Sequence, residues 1–396
     1  MRQSEAAPLG HDIQGVVRLA FAALGGMTEL VESMHGQIAA RSNPLGGGGR
    51  AGGISSLVYQ AIRGTAGRIG QGTDALLELA APLIKMPQGE QRDLMIGGLN
   101  GVIGDYLHER GNPLALPMEL RWPEGPVEGQ DEHVLVVVHG LCLSAGSWSR
   151  PGHDHGLALS AEFGFRPAYL NYNTGRHISE NGSALADMLE ALVDPQRGVK
   201  RISLLGHSMG GLVSRSALAR ARQKGHRWPD LVQHLMMLGS PHHGAPLEKG
   251  GNWLDVLLGQ SPYTAPLTRL GQSRSAGIMD LRFGYLMDED WQSVHATHTC
   301  GRHKAPVPLP PGVRCFAAAA SLSEKSHCVS HHLVGDGLVP VASALGLHDE
   351  EHHHLGFAEE DRLIVKQANH FDLLDHPEVV EGLHSWLHRD RQKRLR

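Results

Sequence analysis

Ser208 stands in GHSMGG, residues 206 to 211, between the apolar run RISLL (201 to 205) and the helix-like LVSRSALARAR (212 to 222). A Gly-x-Ser-x-Gly at a strand-to-helix junction reads as a nucleophile elbow, a turn so tight that flanking side chains would clash with the neighbouring strands and helix. The hydroxyl then projects from the carboxyl end of a sheet, at a helix start whose unsatisfied N–H groups can stabilise developing negative charge. The chemistry this predicts is attack of a serine oxygen on a carbonyl carbon. It needs a general base, a carboxylate to orient that base, and two donors for the oxyanion.

Partners for Ser208 are sought in the chain order serine, acid, histidine. LVGDGLVP (333 to 340) offers Asp336 between two glycines, and ANHFDLLDHPEV (368 to 379) offers His370 just after a strand-like run. VVVHGLCLSAGSW (136 to 148) ends an apolar run on His139 and Gly140, where a turn can aim the N–H of Leu141 at a carbonyl oxygen. The second oxyanion donor is expected to be the N–H of Met209, and His139 is expected only to shape the loop. Rival acids are Asp349, Glu350, Glu351 and Asp361, which sit in HDEEHHH and AEEDR, where like charges indicate solvent. Rival bases are His242 and His243 in GSPHHGAP, which precede the acid, and His352, His353 and His354, which read as surface.

The elements that must position these residues are legible as alternating patterns. Strands are predicted at HVLVVV (133 to 138), RPAYLNY (166 to 172), RISLL (201 to 205), HLMML (234 to 238), VRCFAAAA (313 to 320) and RLIVKQA (362 to 368). Their hydrophobicity is continuous, as in strands covered on both faces. Helices are predicted between them at 155 to 163, 181 to 193, 209 to 223 and 376 to 388. That grammar predicts an α/β doubly wound, mostly parallel sheet. The interval 245 to 312 is longer than a crossover needs and reads as an inserted cap or lid. Residues 1 to 112 read as an N-terminal helical region, with apolar stripes such as Leu94, Leu99, Val102, Ile103 and Tyr106, and 113 to 396 as the catalytic domain.

Composition narrows the class. The 396 residues are 41% hydrophobic and 19% charged with net charge −5, so nothing attracts nucleic acid. Four cysteines without a CxxC pair suit reduced thiols rather than a disulfide scaffold. No secretory signal or membrane-spanning run is evident, so the expected location is the cytoplasm. Histidine is abundant at 27, so chance clusters are expected. His295, His298, Cys300 and His303 are therefore read as a polar loop rather than a zinc site, and no cofactor or metal is assigned.

Together VVVHGL, GHSMGG, GSPHHGAPL, VGDGLVP and NHFDLL resemble the bacterial serine lipases and the GPI inositol-deacylase-like lipases of the α/β-hydrolase fold, over roughly residues 114 to 388. The resemblance implies Ser208 as nucleophile, Asp336 as acid and His370 as base. Some of these lipases hold calcium through an aspartate two residues after the base. Asp372 matches that spacing, but no second carboxylate stands near GVRCF. The expected function is a serine ester hydrolase acting on hydrophobic or lipid-like esters, with peripheral contact to a lipid surface. An acyltransferase or thioesterase with the same triad is the nearest alternative. A catalytically silent lipid-binding protein on the same fold is the alternative of another class.

Overall fold

The structure is a computed structural model, and it describes residues 89 to 123, 132 to 195, 198 to 245, 258, 275 to 297, 304 to 324 and 335 to 394. Residues 1 to 88 of the predicted N-terminal helical region fall outside them, as does most of the centre of the insertion. Within the described residues, 90 to 109 and those from 115 onward belong to one compact unit.

Seven strands form one sheet: β1 (Glu119–Arg121), β2 (His133–Val138), β3 (Arg166–Asn171), β4 (Arg201–His207), β5 (Val232–Leu238), β6 (Arg314–Ser321) and β7 (Arg362–Lys366). Their order is β1-β3-β2-β4-β5-β6-β7, with every pairing parallel except β1 against β3. This is the mostly parallel sheet of the α/β-hydrolase fold. β4, the strand that delivers Ser208, occupies its centre, where continuous apolar runs are demanded because both faces are covered. All six predicted strands form, one with its ends unchanged and the others with ends shifted by at most two residues. β1 was not legible in the sequence: three residues, ELR, half-exposed at a sheet edge, carry too little pattern.

The helices are α1 (Glu90–Glu109), α2 (His155–Phe163), α3 (Ile178–Leu192), α4 (Met209–Lys224), α5 (Ala276–Phe283), α6 (Asp288–Thr297), α7 (Val341–Ala344) and α8 (Pro377–Arg394). α3 and α4 pack so closely that a Cβ on Gly182 would lie 2.3 Å from Ser216 Oγ. α2 and α8 meet through Glu162, whose carboxylate takes His384 and His388 at 2.5 Å each. A buried polar chain ties α8 to the amino ends of three strands: His133 Nε2 to Ser203 Oγ at 2.9 Å, Ser203 Oγ to His234 Nδ1 at 2.9 Å, and His234 Nε2 to Asp390 at 3.0 Å.

α1 changes the picture of the N-terminal region. It lies in the same unit as the sheet, and its buried face coincides with the predicted stripe only at Leu99 and Val102. Leu94, Ile103 and Tyr106 are half-exposed, whereas Met95, Ile96, Leu99, Val102 and Leu107 are buried. Gly97, Gly101 and Gly104 form a further stripe pressed on the loop after β2 and on Asn173. A Cβ on Gly97 would lie 2.5 Å from Leu143 O, and one on Gly101 2.2 Å from Cys142 Sγ. Around the kink at Ile103, Ser275 Oγ donates to Gly101 O at 2.6 Å and Asn173 Nδ2 to Gly104 O at 2.8 Å. Side chains intruding on helix carbonyls are a recognised cause of such kinks.

The insertion returns to the core through α5 and α6. Asp280 is buried and accepts from His177 Nδ1 at 3.0 Å and from Ile178 N, the first residue of α3, at 2.8 Å. The His177 ring stacks on Trp291 at 3.9 Å. Burial pulls the His177 pKa down, but the Asp280 hydrogen bond and charge, with Glu180 and Asp105, outweigh it and hold the pKa above its ordinary value. A raised folded-state pKa gives stability that is full below the unfolded value, about 6.5, and lost as pH rises through the folded value. Thermal melts of His177→Gln against wild type should therefore show the largest deficit near about pH 6 and a shrinking one toward about pH 9. A deficit independent of pH would remove His177 from this role.

Candidate active site

β4 ends at His207, and Ser208 follows at φ 54° and ψ −123°, a conformation disfavoured for a residue with a side chain. Such strain costs on the order of 1–3 kcal/mol and persists only where the surroundings enforce it. Here Ser208 N donates to Leu238 O at 2.7 Å, and the flanking glycines allow the turn to close. A Cβ on Gly206 would sit 2.5 Å from Gly211 N, and one on Gly210 2.1 Å from Val138 O. The clash inferred for the flanking positions is thus realised by backbone on both sides. Ser208 is only 5% exposed, more enclosed than a residue on an open cleft.

Asp336 and His370 come together as expected. His370 Nδ1 lies 2.6 Å from Asp336 Oδ2, with Asp336 3% and His370 2% exposed. The other carboxylate oxygen, Oδ1, accepts from Leu338 N at 2.9 Å and Val339 N at 2.7 Å. This three-bond cradle depends on a tight turn, in which Gly337 takes φ 93° and a Cβ on Gly335 would lie 1.8 Å from Val339 O. A carboxylate only accepts, so the His370 hydrogen resides on Nδ1 and Nε2 presents its lone pair. Ser208 and His370 share the Leu238–Gly239 segment. Ser208 bonds to Leu238, and a Cβ on Gly239 would meet His370 Cε1 at 3.0 Å.

The loop after β2 passes over the serine: a Cβ on Gly140 would lie 3.0 Å from Ser208 Cβ. Cys142, at φ 60°, commits its N–H to Thr174 Oγ1 at 3.2 Å, and Leu143 commits its own to Gly140 O at 3.3 Å. Among the described residues, no hydrogen bond engages the N–H of Leu141 or that of Met209, the first residue of α4. His139 is fully buried, with Nδ1 on Gly140 O at 2.9 Å, and Tyr172 Oη donates to its carbonyl at 2.8 Å, in keeping with a loop-shaping role.

Two histidines that the sequence reading passed over brace the turn carrying His370. His207 Nε2 donates to His370 O at 3.1 Å, and His155 Nε2 donates to Leu373 O at 3.1 Å. Burial, then neighbouring positive charge, pushes the His207 pKa well below its ordinary value and that of His155 to about 3. Both are therefore neutral N–H donors at ordinary pH. His207 had a sequence signal, since it adjoins Ser208; His155 had none, because its partner lies 218 positions away.

The rivals separate. His242 is fully buried and accepts from Arg215 of α4 through Nδ1 at 3.1 Å, so it ties the GSPHHGAP loop to the elbow helix. Asp349, Glu350 and Glu351 are exposed as expected, but Asp361 is not. It is buried, with Arg314 at 3.0 Å and Arg389 at 3.3 Å, so its acidic neighbourhood misled the expectation of solvent. Ser203, His234 and Asp390 also compose a Ser-His-Asp set, yet Ser203 is fully buried within β4 with both neighbours in place.

Metal expectations can be tested on donor sets. Asp372 closes the His370 turn instead of converging with other carboxylates: its Oδ2 accepts from Asn369 N at 2.7 Å, and Asn369 Oδ1 accepts from Phe371 N at 2.8 Å. It belongs to no group of three convergent His, Cys, Asp or Glu side chains among the described residues. The side chains of His295, His298, Cys300 and His303 lie outside the described residues. No helix among the described residues is long and apolar enough to cross a membrane.

Residues 132 to 300 match the family model described as the PGAP1-like alpha/beta domain. That segment holds the elbow and the Leu141 loop and stops before Asp336 and His370. No curated protein matches by sequence. Among solved structures, the chain is similar to the mature form of the Bacillus licheniformis lipase BlEst2, at 19% identity and TM-score 0.43 over 68% of this chain and 97% of that one. It is similar to Staphylococcus hyicus lipase at 14% identity and TM-score 0.38, over 69% of this chain and 99% of that one. It is also similar to the type II thioesterase BorB from the borrelidin biosynthetic cluster, at 16% identity and TM-score 0.38, over 68% and 96%.

Proposed function

We propose that this chain, a lipase-like protein of the α/β-hydrolase fold, is a serine carboxylic ester hydrolase with Ser208 as nucleophile, His370 as base and Asp336 as orienting acid. The observation that carries the reading is the buried 2.6 Å Asp336–His370 pair, which shares the Leu238–Gly239 segment with a serine held at φ 54°. His370 Nε2 takes the Ser208 hydroxyl proton as Oγ bonds to the ester carbonyl carbon. The carbonyl oxygen becomes an oxyanion held by the N–H groups of Leu141 and Met209, each worth about 3 kcal/mol in comparable sites. Collapse expels the alcohol, which takes the proton back from His370, and water repeats the sequence on the acyl-enzyme. Asp336 stays ionised and stabilises the imidazolium. His207 and His155 act as positioning residues, because they fix the backbone on which His370 stands.

Hydrophobic esters are the proposed substrate class. The support is the pair of apolar stretches NWLDVLLG and APLTRLG in the insertion, which suit an acyl pocket. Only Leu258 of these lies within the described residues, and it is fully buried. The test pairs a fluorophosphonate probe with p-nitrophenyl esters of increasing chain length. The expected result is a single labelled peptide containing Ser208 and faster turnover of longer chains than of acetate. Absence of both labelling and turnover above the buffer rate would refute the hydrolase. Turnover that falls as the chain lengthens would refute the substrate class alone.

A further inference from the structure

Between Asp336 and His370 the chain forms a short tongue. Its neck is closed by Leu355 N to Gly346 O at 2.9 Å, with Gly346 at φ 64°. At its tip Glu351–His353 makes one 3-10 turn, in which His353 N and His354 N both return to Glu350 O, at 3.0 and 3.2 Å. Glu350 caps this turn, and its side chain meets that of His353 three residues on. His352 joins them. Its Nε2 lies 3.1 Å from Glu350 Oε2, and His353 Nε2 lies 3.8 Å from the same oxygen. The three potential ligand atoms all fall within 4.8 Å of one another.

We propose that Glu350, His352 and His353 form a binding site for a divalent transition metal of the zinc class. Zinc bonds of about 2.0–2.1 Å to nitrogen and oxygen imply ligand–ligand separations of roughly 3.3–3.5 Å in a tetrahedral site. The two separations from Glu350, 3.1 and 3.8 Å, bracket that value, and the two imidazole ligand atoms lie within 4.8 Å of each other. Two imidazoles and one carboxylate suit Zn²⁺, Ni²⁺ or Cu²⁺ rather than Ca²⁺ or Mg²⁺, which prefer all-oxygen shells. The fourth position falls to water or to His348, whose ring stands 5.1 Å from that of His353. His348 Nδ1 already accepts from Glu350 N at 3.0 Å, so only its Nε2 could join. The His348 ring also lies 4.8 Å from that of His243 in the GSPHHGAP loop, so a bound ion would brace the tongue against that loop. The site uses none of the residues assigned to the ester hydrolase, and its existence does not depend on that reading.

The test uses the full chain without a histidine tag, stripped with EDTA and titrated with Zn²⁺ against a chromophoric chelator. His352→Ala and His353→Ala should each weaken the tightest Zn²⁺ binding at least about tenfold, and Glu350→Gln, which keeps the shape, should weaken it several-fold. His354→Ala is the control, because its Nδ1 faces His348 N at 3.5 Å and is no ligand. It should bind as wild type, and Zn²⁺ should raise the melting temperature of wild type and His354→Ala but not of His353→Ala. Unchanged affinity in His353→Ala and Glu350→Gln would overturn the site. So would an equal loss in His354→Ala, which would mean that any histidine-rich loop suffices.

Discussion

Ser208→Ala is expected to lower kcat for p-nitrophenyl esters by about 10⁶-fold, to the level that oxyanion donors and binding alone sustain. Alanine cannot form the acyl-enzyme, so no covalent route remains. The fold should survive the change. Alanine has nearly the same φ preference as serine, so the strain at φ 54° is neither relieved nor increased, and the bond from residue 208 N to Leu238 O is a backbone bond. Wild-type and variant melting temperatures should agree closely, and fluorophosphonate labelling should vanish. Turnover within tenfold of wild type, in a preparation shown free of host esterase, would move the nucleophile elsewhere. Ser203 is not a ready substitute, because it is fully buried between His133 and His234.

Asp336→Asn is expected to lower kcat by about 10⁴-fold with KM little changed, the size of effect seen when a histidine base is held in the wrong tautomer. Asparagine can still accept from Leu338 N and Val339 N through its oxygen, which leaves its NH₂ facing His370 Nδ1. An NH₂ group donates, so Nδ1 must accept and the imidazole hydrogen moves to Nε2. Nε2 then has no lone pair with which to take the serine proton. Asp349→Asn, at an exposed position in the tongue, should behave nearly as wild type. Asp361→Asn should cost stability through Arg314 and Arg389 rather than turnover. Reversed outcomes for Asp336 and Asp349 would displace the acid while leaving Ser208 and His370 in place.

The sequence by itself determined the sheet and the elbow, because both follow from short-range rules. HVLVVV and RISLL carry consecutive rather than alternating apolar residues, as in a strand covered on both faces, and they became the adjacent central strands β2 and β4. Gly206 and Gly210 flank Ser208 because backbone occupies the space on both sides, a constraint written at fixed spacing. The tight turn that presents Asp336 to His370 was readable from its glycines, since such a turn is a local property. Tertiary structure alone decided what depends on distant partners. Asp361 sits in a run of like charge yet is buried, because Arg314 comes from another strand and Arg389 from α8. α1 joins the sheet-bearing unit partly through three glycines that contribute no hydrophobic signal: Gly97 and Gly101 allow close contact with the loop after β2, and Gly104 with Asn173. Among 27 histidines no composition rule separates those that brace His370 from those at the tip of the tongue. His155 reaches Leu373 across 218 residues, whereas His352 and His353 meet Glu350 within a single turn. Burial and convergence are properties of the packed chain, and only packing tells the neutral donor from the exposed ligand.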